Sequence, residues 1–446
     1  MKIAGIIAEY NPFHSGHAYH IKETKRLTRC DALIVLMSGN YVQRGEISIF
    51  DKNLRAKQAI FAGADLVLEI PSPFVLQSAS VFAAQSLKIL SSIPDFQILS
   101  FGSSLPIEKL QNILNFEQQY NIQENTLKNI HSGFAYPKAY SEAMQQINNK
   151  IHLISNDLLA IEYMRWVNKL NLDCKCLAIQ RVGTSHDEMS INPKYLSGKK
   201  LRTLLKNNDK KALKYLNSNY PKNLFNQVVR VNKTKLNDLL TYKLFFNTEN
   251  KNILHYENGM NNLLKKNRNE SIDYWINSCT NKRYTKSRIK RYILSLLIEI
   301  ESIVNQENHL PVLRPLAMTS TGQSILKTIS KTEVLYPVNG KILSSLQHYP
   351  VIQSMIQAEV FLSLVTNQFH PSKIFPETPW IKKVKERNRI IFNFCLFYKF
   401  LFFSIQIFSI YFAILLINFN LVISISLGIV QSAPKIRPSL PVSLIS

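Results

Sequence analysis

Cysteine and acidic residues are scarce in this chain of 446 residues. The five cysteines are too few and too scattered for a disulfide framework, and the C-x-C pair has no second cysteine or histidine pair at zinc spacing. These absences favour a reducing cytoplasm and predict no resident metal site. With 30 Asp and Glu against 54 Lys and Arg, the net charge is +24. An excess this large indicates a polyanionic partner, with nucleic acid favoured over anionic lipid.

Length and apolar content exclude a peptide, a single small module and a disordered chain. At roughly 150 residues per domain, the length predicts two to three domains. Hydrophobic residues make up 46% and aromatic residues 10% of the chain, as in globular proteins. Residues 3–8 are apolar like the core of a signal peptide, but Glu9 follows them and a small-residue cleavage site does not. We therefore predict a strand there.

The first part of the chain alternates short apolar runs with amphipathic stretches, the pattern of a parallel sheet covered by helices on both faces. We predict an α/β fold for residues 1–191. Its strands are expected at Lys2–Glu9, Ala32–Met37, Leu66–Glu69, Gln97–Phe101 and Cys176–Arg181. Its helices are expected at His17–Arg26, Lys52–Ala62, Ala79–Ser91, Ile107–Gln119, Pro137–Asn148 and Asp157–Leu170. In such a fold, ligands bind at the carboxyl ends of the strands.

From Asn192 onward the composition shifts to Lys, Asn, Leu and Tyr, and apolar residues follow helical spacing. Residues 192–386 are predicted to form a basic, mostly α-helical domain. One of its helices carries a cluster of basic residues in its first turns, where they oppose the helix dipole and so do not stabilise the helix locally. They form either a solvated charged face or a contact to phosphate. The cluster consists of Lys282, Arg283, Lys286, Arg288, Lys290 and Arg291.

The last segment, residues 387–446, contains no Asp or Glu, and Phe400–Ala433 carries no charge of either sign. That stretch exceeds the roughly 20 apolar residues that a membrane-spanning helix needs. Ser, Asn and Gln dilute it, however, and Leu421–Leu427 alternates like a strand. Two interpretations stay open: a membrane span, or a tail outside the working fold, such as the product of a shifted reading frame. A membrane is not the expected partner.

The sharpest motif is Glu9-Tyr10-Asn11-Pro12-Phe13-His14-Ser15-Gly16-His17, between the first predicted strand and the first predicted helix. It contains the pattern H-x-G-H. Two imidazoles at a helix N-terminus can donate hydrogen bonds to the α-phosphate of ATP as negative charge builds on it. Gly16 lets the backbone approach a nucleotide without a Cβ clash. The alternative is a coincidental histidine pair, but the position in the fold favours nucleotide binding, with His14 and His17 as the catalytic residues.

A second loop, Met37–Glu46, follows the second predicted strand and contains two glycines with polar residues. Gln43 and Arg44 are its candidate contacts to an anionic or polar ligand beside ATP, although a plain structural turn would look similar. Three weaker candidates also end strands or begin helices. They are Gly102, where a base or ribose could lie against the backbone, Asn156, at least a helix cap, and Arg181, placed to meet phosphate.

Taken together, these motifs make the sequence similar to the bacterial tRNA(Met) cytidine acetate ligase family. The likeness rests on Glu9–His17, Met37–Glu46, Gly63–Glu69 and Phe101-Gly102-Ser103, in this order, and covers roughly residues 1–380. The resemblance implies a Rossmann-like parallel-sheet nucleotidyltransferase domain followed by a mostly α-helical, tRNA-binding domain. It also implies that ATP and acetate form acetyladenylate and diphosphate. The acetyl group then passes to N4 of the wobble cytidine of elongator tRNA(Met), giving N4-acetylcytidine and AMP.

The resemblance also implies the nucleotide contacts, with Mg²⁺ accompanying the nucleotide. The implied ATP-binding residues are Ile7, Ala8, Glu9, Tyr10, Asn11, Pro12, Phe13, His14, Ser15, Gly16, His17, Ala18, Tyr19, His20, Gly102, Asn156 and Arg181. Two departures stand out. Ser104 replaces the acidic residue that usually follows Phe-Gly-Ser. Ser197–Arg202, the candidate for the segment that covers the triphosphate in related enzymes, has lysines in its middle.

The RNA-binding candidates are Lys199, Lys200, Arg202 and the basic cluster at 282–291. Two rival functions stay open. An adenylyltransferase that joins AMP to a small phosphorylated acceptor in cofactor biosynthesis would use the same histidine loop, but it leaves the basic helical half unexplained. A non-catalytic RNA-binding or membrane-tethered protein could also retain a nucleotide-binding fold.

Overall fold

The structure, a computed structural model, describes residues 1–147, 153–180, 196–216, 219–246, 249–305, 310–329, 333–337, 342, 345–366 and 379–382. All of them belong to one compact unit, Met1–Lys383. Val384–Ser446 forms a second unit and lies outside the described residues, as does the acid-free tail. The predicted domain boundaries at 191 and 386 stay predictions.

A seven-stranded sheet forms the centre of the first unit, with strand order β7-β6-β1-β2-β5-β8-β9. Its strands are β1 (Ile3–Ala8), β2 (Ala32–Ser38), β5 (Leu66–Ile70), β6 (Phe96–Ser103), β7 (Lys175–Gln180), β8 (Arg314–Met318) and β9 (Trp380–Ile381). A separate antiparallel hairpin consists of β3 (Tyr41–Val42) and β4 (Glu46–Ile47). Every neighbouring pair in the sheet is parallel except β5 with β8. The predicted α/β fold is confirmed.

The apolar runs form strands because the sheet is buried on both faces, as parallel sheets are. Successive residues of β1 point to opposite faces. Ala4 and Ile6 pack with the buried sides of the first two helices, while Ile3 and Ile7 join a larger cluster on the other face. Packing of these two apolar clusters against the sheet fixes the positions of the strand ends, where the connecting loops meet.

The helices cover both faces and continue into the second half of the chain. They are α1 (Ser15–Thr28), α2 (Lys52–Phe61), α3 (Ser72–Val75), α4 (Ala79–Ser91), α5 (Ile107–Gln119), α6 (Ile122–His131), α7 (Tyr136–Ile147), α8 (Ser155–Lys169), α9 (Gly198–Lys206), α10 (Lys233–Phe246), α11 (Met260–Lys266), α12 (Ile272–Cys279), α13 (Lys286–Ile298), α14 (Ser320–Thr328) and α15 (Pro350–Val365). Short 3₁₀ helices lie at Lys210–Tyr215, Leu224–Gln227 and Ser302–Asn305.

Helices α10 to α13 pack around their own apolar cluster, with Trp275 fully buried in it. Strand β8, from the same half of the chain, completes the main sheet beside β5. Within the described ranges, no helix is both long enough and apolar enough to cross a bilayer.

Candidate functional site

The histidine loop connects β1 to α1 and places two imidazoles at the start of the helix. His14 is the N-cap of α1, and its Nδ1 accepts a hydrogen bond from the Gly16 N–H at 3.1 Å. The Nδ1 of His17 accepts from the His14 N–H at 3.3 Å. The rings stack with centroids 3.8 Å apart. A neutral imidazole whose Nδ1 accepts carries its proton on Nε2, so both rings offer an N–H donor.

Both histidines are half-buried at a helix N-terminus whose first turn contains no acidic residue. The positive end of the helix dipole favours an anion there. Behind the histidines, the rings of the buried residues Tyr10 and Phe13 lie 4.8 Å apart, and the Tyr10 ring lies 4.7 Å from that of His17. The arrangement can therefore bind a phosphate group and donate hydrogen bonds to it.

The second predicted loop is the β3–β4 hairpin, and it contacts the histidine loop directly. The Gln43 backbone N–H donates to the Glu9 carboxylate at 2.7 Å, and the Ile49 N–H donates to the Asn11 side chain at 2.8 Å. Burial raises the pKa of Glu9, although the Gln43 N–H and nearby arginines act in the opposite direction. The structure thus places the hairpin beside the histidine loop, as the strand order requires.

A cavity of about 110 Å³ lies between the histidine loop, the hairpin and the start of α9. It is lined by Glu9, Asn11, Val42, Arg44, Glu46, Gly198, Lys199 and Arg202. The Arg202 guanidinium donates to the Asn11 carbonyl at 2.8 Å, and burial lowers its pKa. The predicted segment Ser197–Arg202 therefore does approach the histidine loop. Its cationic side chains and its helix N-terminus suit an anionic ligand.

Arg55 of α2 lies beneath the second loop and has a structural part. It is fully buried, and its guanidinium donates to the carbonyls of Glu9 at 2.7 Å, Ser38 at 3.1 Å and Phe50 at 3.0 Å, and also to that of Gly39. Burial lowers its pKa to about 10. Arg55 thus holds the ends of β1 and β2 together. The sequence pattern gave no signal of this, because surface and buried arginines look alike there.

A lysine next to that guanidinium is also buried. The Lys52 ammonium pairs with Glu69 at 2.9 Å and with Glu359 of α15, and Glu69 also pairs with Arg314 of β8 at 3.0 Å. Sequence reasoning missed this network because its members are separated by about 300 residues, well beyond any local spacing pattern. The network anchors the second half of the chain beneath the site.

The third candidate group lies where β6 ends and α8 begins. Asp157 is buried and accepts hydrogen bonds from the Ser103 hydroxyl at 2.9 Å, the Ser104 N–H at 2.9 Å and the Ser104 hydroxyl at 2.6 Å. These bonds fix the backbone that follows Gly102 to the residue that follows Asn156. Because β6 pairs with β1, its carboxyl end lies beside the histidine loop. The expected departure at Ser104 is thus a hydrogen-bond partner of Asp157.

Arg181 lies outside the described residues. His20, in the first helix, is half-buried, its Nε2 lies 3.0 Å from the Ser100 Oγ, and desolvation lowers its pKa to about 4. Across the part of the chain that is described, no cluster of His, Cys, Asp and Glu could hold a metal ion.

The basic cluster at 282–291 divides into two groups. In the first group, Arg283 and Arg288 pair with Glu257, and Lys286 donates to the Asn277 side chain, all within the helical half. Lys282 of the same group lies over the Phe134 ring, between α6 and α7. The second group reaches the site: Lys290 pairs with Glu46 at 2.5 Å, and Arg291 donates to the Gln43 carbonyl at 3.1 Å. Lys199 and Lys200 are exposed at the start of α9.

Comparisons with known proteins show the family and the fold. The family described as HIGH Nucleotidyl Transferase matches residues 1–374. A tRNA(Met) cytidine acetate ligase of Clostridium kluyveri is 34% identical over 370 residues, 77% of this chain and 90% of that protein. One from Clostridium perfringens is 33% identical over 382 residues, 80% of this chain and 94% of that protein.

Two solved structures of Thermotoga maritima TmcAL share the fold. The one bound with alpha-thio ATP has a TM-score of 0.70 at 23% identity, and the apo form has a TM-score of 0.72 at 24% identity. Each comparison covers 85% of this chain and 99% of the other.

Proposed function

The chain belongs to the HIGH nucleotidyl transferase family, and we infer that it is an ATP-dependent tRNA(Met) cytidine acetate ligase. Its curated relatives carry that name, and they are matched over nine-tenths of their own length. We further propose that the acetyl donor is free acetate and that the reaction takes place in the cytoplasm, where ATP and tRNA meet.

In the first step, an acetate oxygen attacks the α-phosphorus of ATP, and the bond to the β-phosphate oxygen breaks, which releases diphosphate. Acetate is ionised at neutral pH, so the step needs no general base, only alignment and charge stabilisation. We assign that stabilisation to the Nε2–H groups of His14 and His17. The observation that carries this proposal is the pair of stacked imidazoles at the start of α1, each oriented by an Nδ1 hydrogen bond.

The phosphate end of ATP fits the cavity beside the histidine loop. Arg202, Arg44 and Lys199 line it, and α9 begins there. Of its two carboxylates, Glu46 pairs with Lys290, which lowers its pKa although burial alone would raise it, and Glu9 accepts the Gln43 N–H. With its carboxylates engaged and its cations facing the cavity, the site suits phosphate oxygens. Mg²⁺ bound with the nucleotide would neutralise part of the phosphate charge.

The adenosine end is assigned to the carboxyl end of β6 and the start of α8. Gly102 lets a ring or ribose approach the backbone, and the Asn156 amide offers both a donor and an acceptor. Asp157 holds both positions through hydrogen bonds to Ser103 and Ser104. Arg181 remains an additional proposed nucleotide contact on the basis of the resemblance alone.

In the second step, the exocyclic amine at N4 of cytidine attacks the acetyl carbonyl of acetyladenylate. The bond to the adenylate oxygen breaks, AMP leaves, and the amine loses a proton to give N4-acetylcytidine. The target base must leave its stack to reach the site, as unpaired anticodon bases can. Exposed lysines such as Lys199, Lys200, Lys282 and Lys286 would then bind the tRNA backbone.

One assay tests the reaction. Acetate-dependent exchange of labelled diphosphate into ATP should occur without tRNA, and labelled acetate should appear in elongator tRNA(Met) when tRNA is present. An adenylyltransferase would instead form a stable AMP adduct with a phosphorylated acceptor and show no exchange with acetate. A non-catalytic binding protein would give neither product.

A further inference from the structure

Helix α13 contacts the tip of the β3–β4 hairpin, and the sequence alone gave no reason to expect this. The tip, residues 43–46, forms part of the wall of the cavity beside the histidine loop. Lys290 pairs with Glu46 at 2.5 Å, and the Arg291 guanidinium donates to the Gln43 carbonyl at 3.1 Å. Two adjacent basic residues of the helical half therefore bond to the hairpin of the first half of the chain.

The Gln43 residue bridges the two halves through its backbone. Its carbonyl accepts from Arg291, while its N–H donates to the Glu9 carboxylate at 2.7 Å. Glu9 immediately follows β1, five residues before His14. A movement of the Gln43 backbone away from α13 would therefore alter the position of the Glu9 side chain and the wall of the cavity together.

Backbone packing at Gly45 makes this contact tight. Gly45 has a φ of +72°, and a Cβ at this position would lie 2.7 Å from the backbone nitrogen of Arg291 and 2.7 Å from Cβ of Lys290. No other residue fits without moving the hairpin or the helix, because both the conformation and the space favour glycine. The hairpin tip is thus seated on α13 by its main chain as well as by side chains.

The Arg291 side chain is also badly placed for an RNA phosphate. Its Nε is buried, and burial lowers its pKa to about 10, as expected for a guanidinium withdrawn from water. Lys286, five residues earlier on the same helix, is exposed and donates to the exposed Asn277 side chain. The two residues therefore make a matched pair for separating the functions of α13.

We propose that Arg291 is a positioning residue for acetyladenylate formation, because it fixes the Gln43 carbonyl and thereby the wall of the nucleotide cavity. The inference rests on the proposed function, and it removes Lys290 and Arg291 from the RNA-binding surface. Helix α13 then serves the first reaction through its inward residues and the tRNA through its outward ones.

The test compares Arg291→Gln, Arg291→Lys and Lys286→Gln in the full chain. For Arg291→Gln, kcat of acetate-dependent ATP–diphosphate exchange without tRNA should fall at least about tenfold, the cost of one charge-assisted hydrogen bond. The melting temperature and the Kd for tRNA should stay close to wild type. Arg291→Lys, which keeps a charged donor, should recover part of the rate. Lys286→Gln should instead weaken tRNA binding.

Exchange at the wild-type rate in Arg291→Gln would overturn the proposal, and so would a loss confined to tRNA binding. If the glutamine variant does not fold, Arg291→Met, which fills the space without a donor, decides: reduced exchange at a wild-type melting temperature supports the proposal, and full exchange refutes it. If the wild-type protein itself shows no acetate-dependent exchange, the proposed function fails. In that case, the affinity for a fluorescent ATP analogue tests the positioning role. Arg291→Gln should weaken binding of the analogue, and an unchanged affinity would refute the inference.

Discussion

Replacing His17 by alanine tests the assignment of the histidine pair. The substitution removes one Nε2–H donor from the α-phosphate site and one acceptor from the His14 N–H. Loss of a single donor to a developing oxyanion costs about 10²- to 10³-fold in kcat, or roughly 3–4 kcal/mol of transition-state stabilisation. Loss of the helix-start acceptor costs only about 1 kcal/mol of folding stability, since the site is half-buried and water can replace it. Catalysis should thus suffer far more than folding.

Acetate-dependent ATP–diphosphate exchange and thermal unfolding measure the two effects separately. His131→Ala provides a matched control, because His131 lies exposed at the end of α6, and it should leave both quantities unchanged. ATP binding by His17→Ala should weaken less than kcat falls, because the donor acts mainly on charge that develops in the transition state. Exchange within about threefold of wild type would refute the assignment of His17 to the α-phosphate.

Three further predictions concern the surroundings of the histidine pair. Asp157→Ala should raise KM for ATP more than it lowers kcat of exchange, because it frees the Ser103–Ser104 backbone; equal KM values would contradict its positioning of the adenosine end. Changing Lys282 and Lys286 together to glutamine should raise KM for tRNA and flatten its salt dependence, with exchange unaffected as the control. Burial lowers the pKa of His255 to about 4, so the unfolded chain binds more protons between that pH and 6.5, and stability falls as the pH falls. Urea unfolding at pH 7 and pH 5 should show a loss of about 2 kcal/mol from His255, in addition to a loss from His20, whose pKa burial also lowers to about 4. His255→Gln should reduce the total loss by about 2 kcal/mol, and an unchanged loss in that variant would exclude this origin.

The sequence predicted β1, β2, β5 and β6 well because these strands are mostly buried on both faces and read as apolar runs. Strand β8 was missed for an equally physical reason. Its residues include Arg314 and Pro315, which are atypical of a strand, and it pairs with a strand from the far end of the chain. Local pattern carries no information about such a partner.

The histidine loop could be located from sequence because its chemistry is concentrated in a few consecutive residues between a strand and a helix. The sequence could not show which basic residues of α13 contact the hairpin. Lys286 and Lys290 are one turn apart and share a helix face, yet Lys286 bonds to Asn277 while Lys290 reaches Glu46. Only the packing of the hairpin against the helix distinguishes them, and that contact joins residues separated by more than half of the described chain.

The antiparallel pairing of β5 with β8 has a consequence for biosynthesis. During translation, β5 emerges long before its neighbour, which follows about 250 residues later, roughly 12 to 50 s at bacterial elongation rates. Throughout that interval the edge of β5 that β8 will cover has unpaired backbone groups, and other chains can pair with it. We expect ribosome-associated chaperones to bind this edge during synthesis. Chains truncated before β8 should be insoluble.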